Sequence, residues 1–180
     1  MVNTMARSST RKRPTVWRSR TVILLTVGTQ LRFDRLISLV DEWARQNPRV
    51  EILAQIADGK YIPKYMPYVS YLRGKAYATA FKKASVVIAH AGMGTVISSL
   101  IASKPVIVFP RKASLGEHRN EHQLATCSKL ASLKGCYVSY EPDKLFKTLD
   151  ELSTLEGGSI NPFANADLLK TIDQFISNQV

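Results

Sequence analysis

Apolar residues along this chain fall into short continuous runs separated by longer stretches of mixed character. Runs of strand length occur in order at 21–27, 50–56, 68–72, 86–89, 105–109 and 136–140. Runs without polar alternation are typical of strands that are covered on both faces. Between them, apolar residues recur at helical spacing over 34–47, 76–84, 94–102, 120–133 and 143–152. Strands that alternate with helices pair in parallel through right-handed crossovers, so the pattern predicts an α/β fold with a doubly wound, mainly parallel sheet.

The two ends of the chain differ from this alternating middle. Residues 1–20 carry six basic side chains and no acid. Their charge of +6 is more than half of the chain's net charge of +11. Because they hold little apolar surface, we predict a disordered basic arm that is solvated or tethered to anionic lipid at about 1 kcal/mol per basic residue. Nucleic-acid binding and an organellar transit peptide are the alternatives. Residues 21–180 are predicted to form one domain that ends in an amphipathic helix docked on it, with an apolar stripe at Leu168, Leu169, Ile172, Phe175 and Ile176.

Length and composition narrow the class of protein. With 180 residues and 45% hydrophobic content, the chain can bury a core, and one folded domain is expected. No apolar run approaches the ~18 residues of a membrane-spanning helix, so we expect a soluble protein, peripheral to a membrane at most. Cys127 and Cys136 without a secretory leader indicate buried thiols in a reducing, cytoplasmic compartment.

Glycines follow two of the predicted strands. Gly28-Thr29 lies between the first strand and the first helix, where main-chain N–H groups and the helix dipole favour an anion. The later loop 90–95 reads HAGMGT, and its two glycines leave the main chain open to phosphate oxygens. Ligands of open α/β sheets bind beyond the carboxyl ends of the strands, so a phosphorylated small molecule is predicted here. The dinucleotide fingerprint fails because Ile97 occupies its third glycine position, and the P-loop lysine is absent, so neither NAD binding nor ATP hydrolysis is indicated.

A third loop, 111–123, is strongly polar and follows another predicted strand. Its convergence of polar side chains suits recognition of a sugar or nucleotide. Residues 118–122 read HRNEH and match H-x-x-E-H, the inverted zinc-peptidase signature. That signature needs His118 inside a helix, whereas Gly116 and the polar run place it in the loop before one. A zinc peptidase is therefore only a minor alternative.

The three loops together resemble the donor-binding domain of GT-B glycosyltransferases of family 28. The resemblance rests on TVGTQLRFDRLI from Thr26, AHAGMGT from Ala89, and the FPR…NEHQ block that ends at Gln123. It covers about 21–151. It is strongest to stand-alone donor-binding subunits of split enzymes, namely bacterial exopolysaccharide glycosyl- or glucuronosyltransferases and the cytosolic half of the eukaryotic dolichol-linked UDP-GlcNAc transferase. The resemblance implies a Rossmann-like half of a GT-B enzyme.

The same resemblance implies the substrates and the partner. The donor would be a UDP-sugar carrying glucuronate, GlcNAc or another hexose, and the acceptor would be a lipid-linked saccharide in polysaccharide biosynthesis. A membrane-associated subunit would supply the acceptor half of the cleft and hold this chain at the inner face of the cytoplasmic membrane. No metal or other cofactor is implied, and no D-x-D pair occurs in the sequence. Nucleic acid is not an expected partner of such a subunit.

Site residues carry over position by position. The residues implied to bind the donor are Gly28, Thr29, Gln55, Ile56, His90, Gly92, Met93, Gly94, Thr95, Arg111, Asn120, His122 and Gln123. Of these, Gln55 and Ile56 match the strand end near the uracil. Ser98 stands where relatives usually carry a glutamate that grips the ribose, so that contact is weaker or comes from elsewhere, such as Gln123.

Inverting transfer needs a base for the acceptor hydroxyl and a stabiliser for the charge that grows on the leaving diphosphate. Main-chain N–H groups of the glycine loops, helped by Arg111, Lys112 or Arg119, can meet the second need. The first has no clear owner on this chain, so the base is expected on the partner subunit, with His90 and His118 as alternatives. The contrasting hypothesis is a non-catalytic nucleotide or nucleic-acid binding module that uses the basic arm.

Overall fold

The computed structural model describes residues 21–160. The predicted basic arm and the predicted C-terminal helix lie outside the described residues, and so does the nucleic-acid hypothesis that depends on the arm. The strands are β1 (Val22–Thr26), β2 (Glu51–Gln55), β3 (Tyr68–Val69), β4 (Val86–Ala89), β5 (Val106–Val108) and β6 (Cys136–Val138). The helices are α1 (Asp34–Gln46), α2 (Gly74–Lys83), α3 (Met93–Ile101), α4 (His122–Leu130) and α5 (Pro142–Asp150), with short 3₁₀ turns at Ala113–Leu115 and Leu152–Thr154.

All six strands pair in parallel, in the order β3-β2-β1-β4-β5-β6. The chain adds β2 and β3 on one side of β1 and then crosses to the other side, where it adds β4, β5 and β6. Leu24 of β1 therefore pairs with Leu53 of β2 on one side and with Val87 of β4 on the other. This order confirms the predicted doubly wound fold. The strand order reverses between β1 and β4, which is where ligands bind in sheets of this kind.

Helices cover both faces of the sheet. One face packs against α1 and α5, whose Trp43 Nε1 and Asp150 Oδ1 are joined by a hydrogen bond of 2.8 Å. The other face carries a smaller apolar cluster that includes Val96 and Leu100 of α3 and Leu130 of α4. Because both faces are covered, the central strands β1 and β4 are apolar except for Thr26 at the end of β1, as the continuous runs predicted.

Two carboxylates of α1 fasten the long β2–β3 connection. Asp34 Oδ1 accepts hydrogen bonds from the backbone N–H groups of Lys60 and Tyr61, at 2.8 and 3.1 Å. Asp41 is fully buried and accepts from the Tyr61 hydroxyl and from the N–H groups of Lys64 and Tyr65. These bonds satisfy the buried carboxylate, as burial of a charge requires. They also hold the short edge strand β3 in place.

Most element ends differ from the sequence prediction by one to three residues, and two of the differences have a clear cause. The third strand was expected over 68–72 and spans only Tyr68–Val69, because the chain turns away there toward α2. The fourth helix was expected from Asn120 and begins at His122, because the Asn120 side chain accepts a hydrogen bond from the His122 N–H and closes a turn. Within residues 21–160, no helix has the length and apolarity that crossing a bilayer requires.

Candidate functional site

A cavity of about 440 Å³ opens at the carboxyl edge of the sheet, between β1 and β4. Three loops line it: residues 28–31 after β1, residues between His90 and Thr95 after β4, and residues between Arg111 and Gln123 after β5. A second cavity of about 530 Å³ shares Gly28, Thr29, Gly94 and Thr95 with the first and extends between α2 and α3. The parallel sheet therefore brings the three predicted loops to one place.

The imidazole of His90 is wedged between the two glycine loops. A Cβ on Gly28 would lie 2.7 Å from Cε1 of the ring, and a Cβ on Gly92 would lie 2.3 Å from Nε2. Both distances are too short, and Gly28 in addition has a left-handed φ of 76°. The histidine ring thus requires glycine at these two positions.

His90 is held in its neutral form. Burial is the main cause that lowers its pKa to about 4, and the nearby charge of Arg111 lowers it further. Its Nδ1 is buried and has no hydrogen-bond partner among residues 21–160. The ring is therefore uncharged at neutral pH, and one of its nitrogens is left unpaired.

The amino end of α3 points at both cavities. Gly92 is the N-cap residue, with extended backbone and no side chain to cap the helix. The first N–H groups of a helix lack intrahelical partners, and the helix dipole adds positive potential there. A Cβ on Gly94 would meet no atom within 4 Å, so the main chain is open to solvent at this point. The arrangement is suited to an anion that approaches the backbone closely.

Arg111 joins the first and third loops. Its Nη2 donates hydrogen bonds to the carbonyl oxygens of Val27 and Leu31, at 2.8 and 2.6 Å, and its backbone N–H donates to Gln123 Oε1 at 3.0 Å. The guanidinium lies over the Phe33 ring, 4.9 Å from its centroid. Burial lowers the Arg111 pKa to about 10, with Glu117 opposing the shift, so the side chain stays charged at neutral pH.

An ion pair fixes the third loop to α1. Arg35 grips Glu117 with two hydrogen bonds of 2.7 Å and also donates to the carbonyl oxygen of Pro110 at 3.0 Å. The second carboxylate oxygen of Glu117 accepts from the Lys112 N–H at 2.9 Å. Paired bonds of this kind add geometric precision as well as energy. The loop that carries Arg111 is thus anchored at its base.

The Glycosyltransferase family 28 C-terminal domain model matches residues 22–158. The chain belongs to this family. The membership predicted from the loops is therefore confirmed, together with the Rossmann-like fold of one half of a GT-B enzyme. Among curated protein sequences none matches this family 28 domain significantly.

Solved structures share the fold of this family 28 domain at low sequence identity. The kitacinnamycin glycosyltransferase is 19% identical, with a TM-score of 0.56, over 83% of this chain and 39% of that one. The NMR structure of ALG13 is 17% identical, with a TM-score of 0.57, over 85% of this chain and 94% of that one. UDP-GlcNAc 2-epimerase from Neisseria meningitidis is 12% identical, with a TM-score of 0.56, over 91% of this chain and 46% of that one. The chain thus spans about two fifths of the kitacinnamycin enzyme and nearly all of ALG13.

Most residues that the family resemblance implied lie at the cavities. The first cavity is lined by Gly28, Thr29, His90, Gly92, Gly94, Thr95, Arg111 and Gln123, and by the alternative base His118. Gln55 lines the second cavity, where its Nε2 donates to the carbonyl oxygen of Gly28 at 2.8 Å and supports the first loop.

Four implied residues do not line either cavity of the family 28 domain. The Ile56 side chain is 2% exposed and packs in the core, so it offers no side-chain contact to a ligand, and its assignment to the uracil stays a prediction. The chain bends after Gln55, and the Ile56 N–H donates to the Val69 carbonyl oxygen instead of facing the edge. Met93 is 47% exposed and lines neither cavity. Asn120 is exposed in the turn before α4, and His122 is exposed at the first position of α4.

Two features of the site carried no signal in the sequence. Leu72 and Tyr77 line the second cavity, and no motif marked them. Arg35 and Glu117, which pair across 82 positions of the chain, looked like ordinary surface charges. Only the position of α2 and α3 on either side of the second cavity, and the ion pair between α1 and the third loop, show their place in the site.

The structure does not place residues 118–122 in one helix, as the zinc-peptidase signature requires. Helix α4 begins at His122, whereas His118 lies in the preceding turn with its Nδ1 3.1 Å from the Asn120 carbonyl oxygen. The two histidines of H-x-x-E-H are therefore not on one helical face. Residues 21–160 contain no cluster of three His, Cys, Asp or Glu side chains that could hold a metal ion. Both cysteines are free and buried, as predicted, and burial raises the pKa of Cys127 to about 12 and of Cys136 to about 11.

Proposed function

We propose that this family 28 domain binds a UDP-sugar and is the donor-binding part of an inverting glycosyltransferase. The observation that carries the proposal is the meeting of three loops at one cationic cavity, at the point where the strand order reverses. The lining residues described include the charged Arg111 and the neutral His90 but no Asp or Glu. A cavity of this character favours an anionic ligand.

The two adjoining cavities match the two ends of a nucleotide sugar. The diphosphate would lie on the shared residues Gly28, Thr29, Gly94 and Thr95, against the amino end of α3. The second cavity, with Leu72 and Tyr77, offers apolar surface to the base. Support comes also from the similar fold of an epimerase that was solved with UDP-GlcNAc bound.

The cavities also separate two residues that the sequence linked to the ribose. Ser98 lines the second cavity, whereas Gln123 lines the first and accepts the Arg111 N–H. With the base in the second cavity, Ser98 is near the ribose, and Gln123 is near the sugar that is transferred. Gln123 is therefore assigned to the sugar, and the ribose contact is assigned to the α2–α3 side.

The proposed reaction divides its tasks between two chains. The acceptor hydroxyl oxygen attacks the anomeric carbon, the bond from that carbon to the diphosphate oxygen breaks, and the bonding electron pair leaves with UDP. The hydroxyl proton passes to a general base. His90 is confined between glycines and, with a pKa of about 4, is a weak proton acceptor, and no carboxylate lines the first cavity among the described residues.

The base is therefore assigned to an acceptor-binding partner subunit, with His118 at the cavity wall as the alternative on this chain. We propose the remaining identities on the family resemblance alone. The partner is membrane-associated, the acceptor is a lipid-linked saccharide of polysaccharide biosynthesis, and the donor carries glucuronate, GlcNAc or another hexose. On this proposal no metal takes part, and the protein works at the inner face of the cytoplasmic membrane.

Calorimetric titration of the full chain with UDP, UMP and AMP tests the proposal. UDP is expected to bind and AMP to bind far more weakly. Gly94→Asp should abolish UDP binding without unfolding the protein, because a side chain there meets no protein atom and an acid at a helix start is favourable. Ser128→Asp, on the exposed side of α4, is the matched control and should bind UDP normally. An unchanged UDP affinity in Gly94→Asp would contradict the proposed site.

A further inference from the structure

Helix α3 presents an apolar stripe to solvent. Met93, Ile97 and Ile101 are 47%, 38% and 45% exposed and follow one another at every fourth position. Residues four apart lie on the same side of a helix, so these three side chains form one strip along α3, the α3 stripe. The helix packs on the sheet through another side, which carries Val96 and Leu100. Single exposed apolar residues are ordinary, whereas a row of them along one element indicates an interaction surface.

The helices on this side of the sheet carry only basic charge. Within their bounds α2, α3 and α4 contain no Asp or Glu, whereas α2 contributes Lys75, Lys82 and Lys83 and α4 contributes Lys129. All four lysines are exposed. Among residues 21–160 only Lys83 of these four has an acidic partner, Glu51 at the amino end of β2. The α3 stripe is therefore flanked by positive charge.

The opposite side of the sheet has a different character. Helices α1 and α5 cover it, and they contain both signs of charge, including the acids Asp34, Asp41, Glu42, Asp143 and Asp150. None of the large apolar side chains that are exposed within residues 21–160 belongs to α1 or α5. The two faces of the protein thus differ both in charge and in apolar exposure.

An anionic lipid surface matches the combination found on the α2–α4 face. Anionic headgroups attract lysines that lie near the membrane surface, and a helix in the plane of the interface buries its apolar side at the acyl boundary. Lysine suits such a surface, because its flexible apolar stem carries a compact, hydrated charge to the headgroups. Protein–protein interfaces, by contrast, are depleted in lysine and enriched in arginine. The composition of this face therefore favours lipid over a protein partner.

We propose that the outer face of α2, α3 and α4 docks directly on an anionic bilayer, with the α3 stripe at the boundary between headgroups and acyl chains. This inference goes beyond the proposed function, because nucleotide binding does not depend on it. Met93 directly precedes Gly94, which lines both cavities, so docking through the stripe brings the donor site beside the bilayer. A lipid-linked acceptor then meets the donor without leaving the membrane.

Co-sedimentation of the full chain with lipid vesicles tests the proposal. The wild type should bind vesicles made from equal parts of phosphatidylglycerol and phosphatidylcholine, and should bind pure phosphatidylcholine far more weakly. Ile97→Gln and Ile101→Gln should each lower the partition coefficient about 10-fold, because each removes an apolar side chain from the docked surface. Lys82→Gln and Lys129→Gln should each lower it about 5-fold, because each removes one charge near the headgroups.

The chain offers a matched control for each kind of substitution. Ile62→Gln changes an isoleucine that is 52% exposed in the β2–β3 connection, outside the α2–α4 face. Lys147→Gln removes an exposed lysine from α5, on the opposite side of the sheet. Both control variants should bind vesicles like the wild type. Every variant keeps the basic residues 1–20, so any attraction of that segment to lipid is common to all of them and cancels in the comparison.

Three results would overturn the proposal. The first is a wild-type chain that does not bind anionic vesicles, and the second is equal vesicle binding by Ile97→Gln, Ile101→Gln and Ile62→Gln. The third is a loss of thermal stability or of dimers in Ile97→Gln with vesicle binding unchanged, which would assign the α3 stripe to residues 161–180 or to a second copy of the chain. UDP calorimetry on the same samples keeps the two proposals apart, because a chain that binds vesicles through this face but does not bind UDP contradicts only the proposed function.

Discussion

His90 should make the protein sensitive to mild acid. Its pKa is about 4 in the folded protein, where burial disfavours the charged ring, against 6.5 for an ordinary histidine. Between these values the unfolded chain binds the proton and the folded chain does not. Folding stability therefore rises with pH across this window. The part of the free energy of unfolding that depends on a neutral His90 is fully present above pH 6.5 and is lost as the pH falls to about 4. At about 1.4 kcal/mol per pKa unit, the loss attributable to His90 is about 3 kcal/mol.

The assay compares urea unfolding of the wild type and of His90→Asn at several pH values from 7.5 to 4. Asn cannot titrate, so the free energy of unfolding should fall by about 3 kcal/mol more in the wild type than in the variant between pH 7.5 and 4. A pH-independent difference in stability between the two proteins does not affect this comparison. Carboxylates titrate in both proteins and cancel in the comparison. His122→Asn, at the exposed first residue of α4, should follow the wild type.

A direct measurement accompanies the comparison. The chain has three histidines, so the ring protons can be assigned and titrated by NMR. Parallel stability profiles of the wild type and His90→Asn would refute the reasoning, and so would a His90 pKa near 6.5 in the folded protein. Either result would mean that the ring is reached by water and is not held neutral between the glycine loops.

Two further substitutions test how the loops are held. Gly92→Ala should destabilise the protein by about 1–3 kcal/mol, because its Cβ would overlap the His90 ring. Gly94→Ala should be neutral or stabilising by up to ~1 kcal/mol, because its Cβ meets no atom. Thermal melts measure both changes in stability, and an equal loss of stability in the two variants would contradict the packing of His90 against Gly92. Glu117→Gln should lower stability by about 1–2 kcal/mol and weaken UDP binding, because the partly buried pair with α1 no longer anchors the third loop. Denaturant unfolding and calorimetry measure the two effects, with Glu156→Gln at an exposed ion pair as control, and an unchanged UDP affinity would show that the anchor is not needed for the site.

Local chemistry made the elements and the loops of this protein predictable. Continuous apolar runs specified strands that are covered on both faces, and the paired glycines of residues 92 and 94 specified an open backbone after the fourth strand. These signals are short-range, because strand and helix periods and glycine's freedom operate within a few residues. They sufficed for the fold class and for the two glycine loops, whereas the family resemblance indicated most of the other residues that line the cavities.

The tertiary structure alone decided which distant residues meet. The reversal of strand order at β1 brings Arg111 to the Val27 and Leu31 carbonyls, more than 75 positions earlier in the chain, and sets His90 against Gly28. It also buries Ile56, whose place on the sequence could not show that the strand end turns into the core. A hydrophobic pattern specifies the period of each element but not its neighbours. The order of the strands and the hand of the crossovers determine those neighbours, and with them the position of the buried Arg111 charge.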